Sequence, residues 1–200
     1  MGFRMIQPSD ATSHSENGVR IRLLLLLLAT GWLAGAAGQA RGDDAPSKEY
    51  QVKAACLLNF AKFVDWPPES FANADTPFCI GVLGDDPFGE FLDKICEGDT
   101  VHDRRIVIKR SKQVDDLKSC HLLFVSKSEK DRVGPILDSL GDASILSVGE
   151  VDGFARRGGV INFYIEDNKV RFEINPDAGQ RKNLKISSRL LKLGRIVHPD

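Results

Sequence analysis

An α/β fold, built as a three-layer sandwich with a mostly parallel central sheet, a C-terminal antiparallel hairpin and a closing helix, is what this 200-residue sequence predicts. Three observations predict it. Short, wholly apolar runs alternate with segments of helical periodicity between Phe78 and Val148, the pattern of strands covered by helices on both faces. Residues 160–165 and 170–174 flank Glu166-Asp167-Asn168-Lys169, which reads as a hairpin adding antiparallel strands at one edge. Residues 186–197 then present Leu190, Leu191, Leu193 and Ile196 as the packing side of a last helix.

Taken in order, the first residues read as an export signal. Arg20 and Arg22 form a positive flank, residues 23–29 are uninterruptedly apolar, and residues 31–40 are mostly small and end in Gly38-Gln39-Ala40. A membrane anchor is the rival reading, but the apolar run covers about ten residues against the roughly 20 a spanning helix needs. Residues 1–40 are therefore expected to be a cleaved signal peptide, residues 41–48 a polar linker and residues 49–200 a single domain in the periplasm. Cleavage removes Arg4, Arg20 and Arg22 with Asp10 and Glu16, moving the net charge from −1 to −2. That balance gives no reason to expect a nucleic-acid partner.

In the domain, Val52, Cys56, Phe60 and Phe63/Val64 recur at helical spacing until Trp66-Pro67-Pro68 stops the pattern, so the first element is an amphipathic helix with these residues on its buried stripe. Residues 78–83 form a strand, Gly84-Asp85-Asp86-Pro87 a tight turn, and Phe88, Phe91, Leu92 and Ile95 mark a second helix. A strand at 105–108, a short helix at 114–117 and a strand at 121–125 follow. Val133, Ile136, Leu137 and Leu140 lie along another helix, and residues 144–148 form the next strand.

Four cysteines in an oxidising compartment allow three pairings. Cys79 opens the first apolar strand and Cys120 stands just before the third; in a doubly wound order these strands are neighbours with level starts, which favours a Cys79–Cys120 disulfide. Cys56 and Cys96 read as small core residues, with ligand or nucleophile as the weaker alternative. The absence of a C-x-x-C spacing argues against thioredoxin-like exchange and structural zinc.

Catalytic signatures are missing. The segment Gly81-Val82-Leu83-Gly84-Asp85-Asp86 occupies the position of a dinucleotide phosphate loop, but lacks G-x-G-x-x-G and carries two acids where a pyrophosphate would sit. The same acids resemble a receiver domain's metal pair, yet the third strand ends in Ser126-Lys127 without a phosphate-accepting aspartate; a capped turn is the better reading. His102, His121 and His198 show no H-E-x-x-H spacing, and neither G-x-S-x-G nor G-x-x-x-x-G-K-[ST] occurs. No enzyme, metal or cofactor is expected. The basic surplus after Val170 reads as a solvated face, or as a contact for lipid headgroups or an acidic partner. Arg156-Arg157-Gly158-Gly159 is a sharply turning loop whose arginines either stay solvated or bind an anion or a partner's carboxylate.

Several stretches together resemble the YfiR-like family of periplasmic proteins: Tyr50-Gln51-Val52-Lys53-Ala54-Ala55, residues 58–67 (LNFAKFVDWP), residues 79–88 (CIGVLGDDPF), Arg157-Gly158-Gly159, residues 170–175 (VRFEIN) and residues 184–188 (LKISS). The resemblance implies a repressor that engages the periplasmic domain of an inner-membrane diguanylate cyclase and limits cyclic di-GMP signalling and biofilm formation. It also implies an outer-membrane lipoprotein that sequesters the repressor, and a structural disulfide matching Cys79 and Cys120. A second bridge near the Arg-Gly-Gly loop is missing here, where Ala155 and Asn162 stand, so redox sensing through that bridge is not expected. A second copy of the chain is a further candidate partner. By residue chemistry, Trp66, Arg156, Arg157, Phe163, Phe172, Glu173 and Ile174 are the candidate partner contacts, Phe172 and Ile174 having the core as their alternative. A small-ligand module serving another membrane system is the competing functional class.

Overall fold

Side chains alternate across a strand, and in the computed structural model, which describes residues 47–199, that alternation creates two cores. On β2 (Phe78–Leu83), Phe78, Ile80 and Val82 enter one core while Cys79 and Leu83 enter the other. β5 (Leu122–Val125) repeats the division, with Leu122 and Phe124 on the first side and Leu123 and Val125 on the second. The first core is covered by α1 (Lys48–Lys62) and α2 (Glu90–Cys96), the second by α3 (Val133–Leu140). Helices therefore lie on both faces of an α/β sandwich.

The eight-stranded sheet has the order β10 (Arg195–Ile196), β8 (Lys169–Ile174), β7 (Ile161–Glu166), β6 (Leu146–Gly149), β5, β2, β4 (Arg104–Ser111), β3 (Thr100–Val101). β4, β2, β5, β6 and β7 run parallel. β8 folds back antiparallel on β7 through Asp167 and Asn168, both at positive φ, as a two-residue hairpin turn requires. β3 caps the far edge as a short hairpin with β4.

Two sequence expectations are corrected. The buried stripe of α1 comprises Lys53, Ala54, Leu57, Phe60 and Ala61, whereas Val52 is 47% exposed and Cys56 only half-buried. The stripe is rotated because Lys53, polar in sequence, finds a buried ionic partner. The closing helix is reduced to one turn, α5 (Ser188–Leu191), capped by Ser187 Oγ accepting from Leu190 N–H. The flanking residues instead form β9 (Lys185–Ile186), paired antiparallel with β1 (Val64–Asp65), and β10 (Arg195–Ile196), paired parallel with β8. Strand pairing overrides helical periodicity here because Gly194 lets the backbone press on Phe172 and Ile174, where a Cβ would lie 2.7 Å from the Phe172 ring. One helix went unanticipated, α4 (Pro176–Arg181), which Asn175 caps by accepting from Ala178 N–H at 3.0 Å. The expected signal peptide and most of the linker lie outside the described residues.

Candidate functional site

Open α/β sheets bind ligands beyond the carboxyl ends of their parallel strands, where the winding reverses. In this chain that crevice, after β2 and β5, is filled by the protein itself. Asp85 N–H donates to Ser128 Oγ at 2.9 Å, and a Cβ on Gly84 would meet Ser128 Oγ at 2.4 Å. Asp85 pairs with Lys112, and Asp86 accepts from Arg110 Nε at 2.6 Å and from Phe88 N–H at 2.8 Å. Both acids are thus occupied by internal partners.

Beside the crevice, Glu150 follows β6 and receives three donors. Lys53 Nζ lies 2.6 Å from its Oε2, while Oε1 accepts from Lys127 N–H at 3.0 Å and from the Tyr50 hydroxyl at 3.4 Å. The Lys53 and Glu150 side chains are 4% and 3% exposed, and the ammonium sits 4.6 Å from the Tyr50 ring centroid. Burial and the two nearby carboxylates push the Tyr50 phenol well above its usual range, so it stays a donor. This network ties α1 to the ends of β5 and β6.

At the opposite end of the sheet, Cys79 and Cys120 form a disulfide with Cα atoms 4.5 Å apart, joining the starts of β2 and β5. His121, next to the bridge, accepts from Cys79 N–H through Nδ1 at 3.0 Å, so its Nε2 carries the proton donated to Ser70 C=O, also at 3.0 Å. The ring stacks between Phe71 and Phe78, with centroids 4.4 and 5.1 Å away. Burial lowers its pKa, and the nearby Arg104 acts the same way against the Ser70 bond. A depressed folded-state pKa means that the native state binds fewer protons than the unfolded chain. The stabilisation from neutral His121 is complete above the unfolded value of about 6.5 and is lost as pH falls towards the lower folded value. Urea unfolding at about pH 7.5 and about pH 5 is expected to show this loss, and a His121→Gln variant should lack that part of the slope.

Cys56 and Cys96 are free thiols, both raised by burial, Cys96 to about 11 with help from Asp93 and Asp99. Such thiols are poor nucleophiles at neutral pH. Among the described residues no group of three or more His, Cys, Asp or Glu is placed to hold a metal ion.

The expected contact residues divide by burial. Phe163 and Ile174 are 2% and 0% exposed, and Phe163 stacks on Phe60 at 5.5 Å. Trp66 is 8% exposed, packs edge-on to Phe78 and donates its indole N–H to His121 C=O at 3.1 Å. Phe172 is half-buried against Phe60. The hairpin register turns Phe163, Phe172 and Ile174 towards α1, which removes most of the apolar area of Phe163 and Ile174 from water and gives Phe172 and Ile174 the core position that was their alternative.

The other face of the hairpin is polar and carries Glu173, the one remaining candidate on these two strands. Asn162 pairs with Glu173 and Tyr164 with Arg171 across the strands. Arg195 places its guanidinium 4.3 Å from the Tyr164 ring centroid and 2.8 Å from Glu173 Oε2, and Asn162 Nδ2 reaches Glu173 Oε1 at 3.5 Å. Glu173 is itself buried, so it orients Arg195 rather than offering its own surface. Arg156 and Arg157 are exposed on the loop between β6 and β7. Phe154 anchors that loop: Cβ atoms on Gly149 and Gly159 would lie 2.4 and 2.2 Å from its ring, so only glycine fits at either position. Asn175 Nδ2 holds Ala155 C=O at 2.7 Å, and Arg157 donates to Asp152 C=O at 3.0 Å. Sequence reading placed Arg171 and Arg195 in the basic surplus after Val170 but missed their neighbour Tyr164; the two-residue alternation that turns Phe163 and Phe172 inward was the signal that could have found it.

A family model described as YfiR/HmsC-like matches residues 50–195. A search of curated proteins returns no match.

Proposed function

The chain belongs to the YfiR/HmsC-like family, and from that membership we propose that it is a periplasmic regulator that binds and inhibits the periplasmic part of an inner-membrane diguanylate cyclase, lowering cyclic di-GMP signalling. The observation that carries this reading is the combination of a ligand crevice filled by internal pairs with exposed arginines, Arg156 and Arg157 on an anchored loop and Arg195 over the half-buried Tyr164 of the hairpin. Arginine and tyrosine are the side chains that anchor protein interfaces. The action is binding rather than catalysis, and an outer-membrane lipoprotein is the partner that would relieve it.

Deleting the chain should raise cellular cyclic di-GMP severalfold, and restoring it should reverse the rise. An Arg156→Glu, Arg157→Glu variant is expected to accumulate as folded protein with at most a small fall in melting temperature, since it gives up the Arg157 bond to Asp152 C=O, yet to fail in this rescue. Unchanged cyclic di-GMP on deletion would exclude the cyclase as the target. The small-ligand reading has one observation in its favour, a cleft of about 800 Å³ bordered by Trp66, Pro67, Pro68, Ser144, Asn183 and Lys185. A small molecule that shifts the melting temperature through this cleft would support it.

A further inference from the structure

β4 gives the sheet a long open edge at the end opposite the hairpin. The strand has eight residues, but β3 pairs only with Arg104 and Arg105. From Ile106 to Ser111 it is in unbroken parallel register with β2 on one side, and among the described residues no strand pairs with the other. The Ser111 carbonyl accepts from Gly84 N–H at 3.0 Å and therefore points towards β2. Peptide groups alternate sides along a strand. Lys109 and Val107 consequently face β2 as well, and the N–H and C=O groups of Ile106, Ile108 and Arg110 face outward.

Side chains of those same three residues border a cleft of about 800 Å³ between β4 and α2. Its floor includes the half-buried Ile106 and Ile108, and its rim holds Asp86, Glu90, Asp93 and Glu97 against only Lys94 and Arg110. Exposed strand edges are ordinarily guarded by projecting cations. Here the cations on the cleft side are tied down. Arg110 is clamped by Asp86, Asp93 and Gly89 C=O, Lys94 pairs with Glu90, and Arg104 donates to the carbonyls of Asn73, Ala74 and Thr76. Glu97 makes no ion pair among the described residues.

We propose that this edge accepts an extended segment of a partner protein as an added strand, with lysine or arginine at the alternate positions facing the cleft and apolar residues between them. Long basic side chains would cover Ile106 and Ile108 with their stems and reach the carboxylates with their heads. The apolar positions would lie beside Val107. Shifting the register by one residue would set the basic side chains against the exposed Arg105 and Lys109, so charge selects both the segment and its register. The surface is distinct from the arginine face, and the inference holds whichever protein that face binds.

The test uses the full chain and a fluorescein-labelled octapeptide of alternating lysine and valine, compared with a glutamate-for-lysine counterpart and a version N-methylated at alternate peptide bonds. Fluorescence anisotropy at low salt should show the lysine peptide binding at least about tenfold more tightly than either control. Hydrogen exchange should show protection gained at the amides of Ile106, Ile108 and Arg110. Glu90→Lys with Glu97→Lys, both exposed, one at the first residue of α2 and one just after its last, should weaken binding about fivefold with at most a small fall in melting temperature from the lost Glu90–Lys94 pair. No binding, equal binding of the N-methylated peptide, or protection elsewhere on the sheet would overturn the proposal.

Discussion

Replacing Cys79 and Cys120 by serine is expected to lower the unfolding free energy by about 4 kcal/mol, because the bridge closes a loop across a sequence separation of 41 residues and restricts the unfolded chain accordingly. For a domain of this size that loss corresponds to a fall in melting temperature of about 10 °C. The effect should be reproduced by reductant on the parent chain and should not appear when Cys56 and Cys96 are replaced, since neither is bridged. The site makes the consequence local as well as global: His121, stacked between Phe71 and Phe78, takes its hydrogen bond from the Cys79 backbone. Calorimetry of oxidised, reduced and serine forms checks this. A melting temperature independent of the bridge would show that the sheet alone holds the starts of β2 and β5 together.

The second large effect concerns Lys53 and Glu150. Glu150→Ala removes the inner partner of a buried ammonium and leaves Tyr50 and Lys127 N–H short of an acceptor; a loss of about 3 kcal/mol is expected. Glu49, which also pairs with Lys53 from a more exposed position, holds the cost near the lower end of the range for broken buried pairs. Lys53→Met should cost a similar amount, because it strands the carboxylate. Combining Lys53→Met with Glu150→Leu should cost much less than the sum, since a well-packed apolar pair avoids the desolvation of two charges. Urea titration of Lys53→Met, Glu150→Leu and their combination measures the coupling directly. Additive losses would mean that the two side chains do not stabilise each other across the 97 residues that separate them.

Much of the architecture was legible because apolar periodicity is a local property. The strands at β2, β5 and β6, the helix at Val133–Leu140 and the hairpin at β7 and β8 follow from residues close together in the chain. The neighbouring positions of the first and third apolar strands were legible from topology alone, and the structure places the Cys79–Cys120 bridge between them. The surface is less legible. Composition named Phe163, Phe172 and Ile174 as contact candidates, with the core as the alternative for the last two, because aromatic and branched residues fill cores and interfaces alike; only the cross-strand register assigns them to a side.

What the sequence by itself determined is the α/β class, the cysteine pair and the absence of recognised catalytic signatures, all of which depend on the identity and short-range spacing of residues. What only the tertiary structure decided is how distant charges and edges are used. A lysine joined the buried stripe of α1 because a glutamate 97 residues away meets it, and the end of the chain became β9, one turn of helix and β10 because β1 and β8 offered backbone partners. Electrostatic pairing and strand pairing act through space, and helical periodicity carries no record of which remote group will be there to complete them.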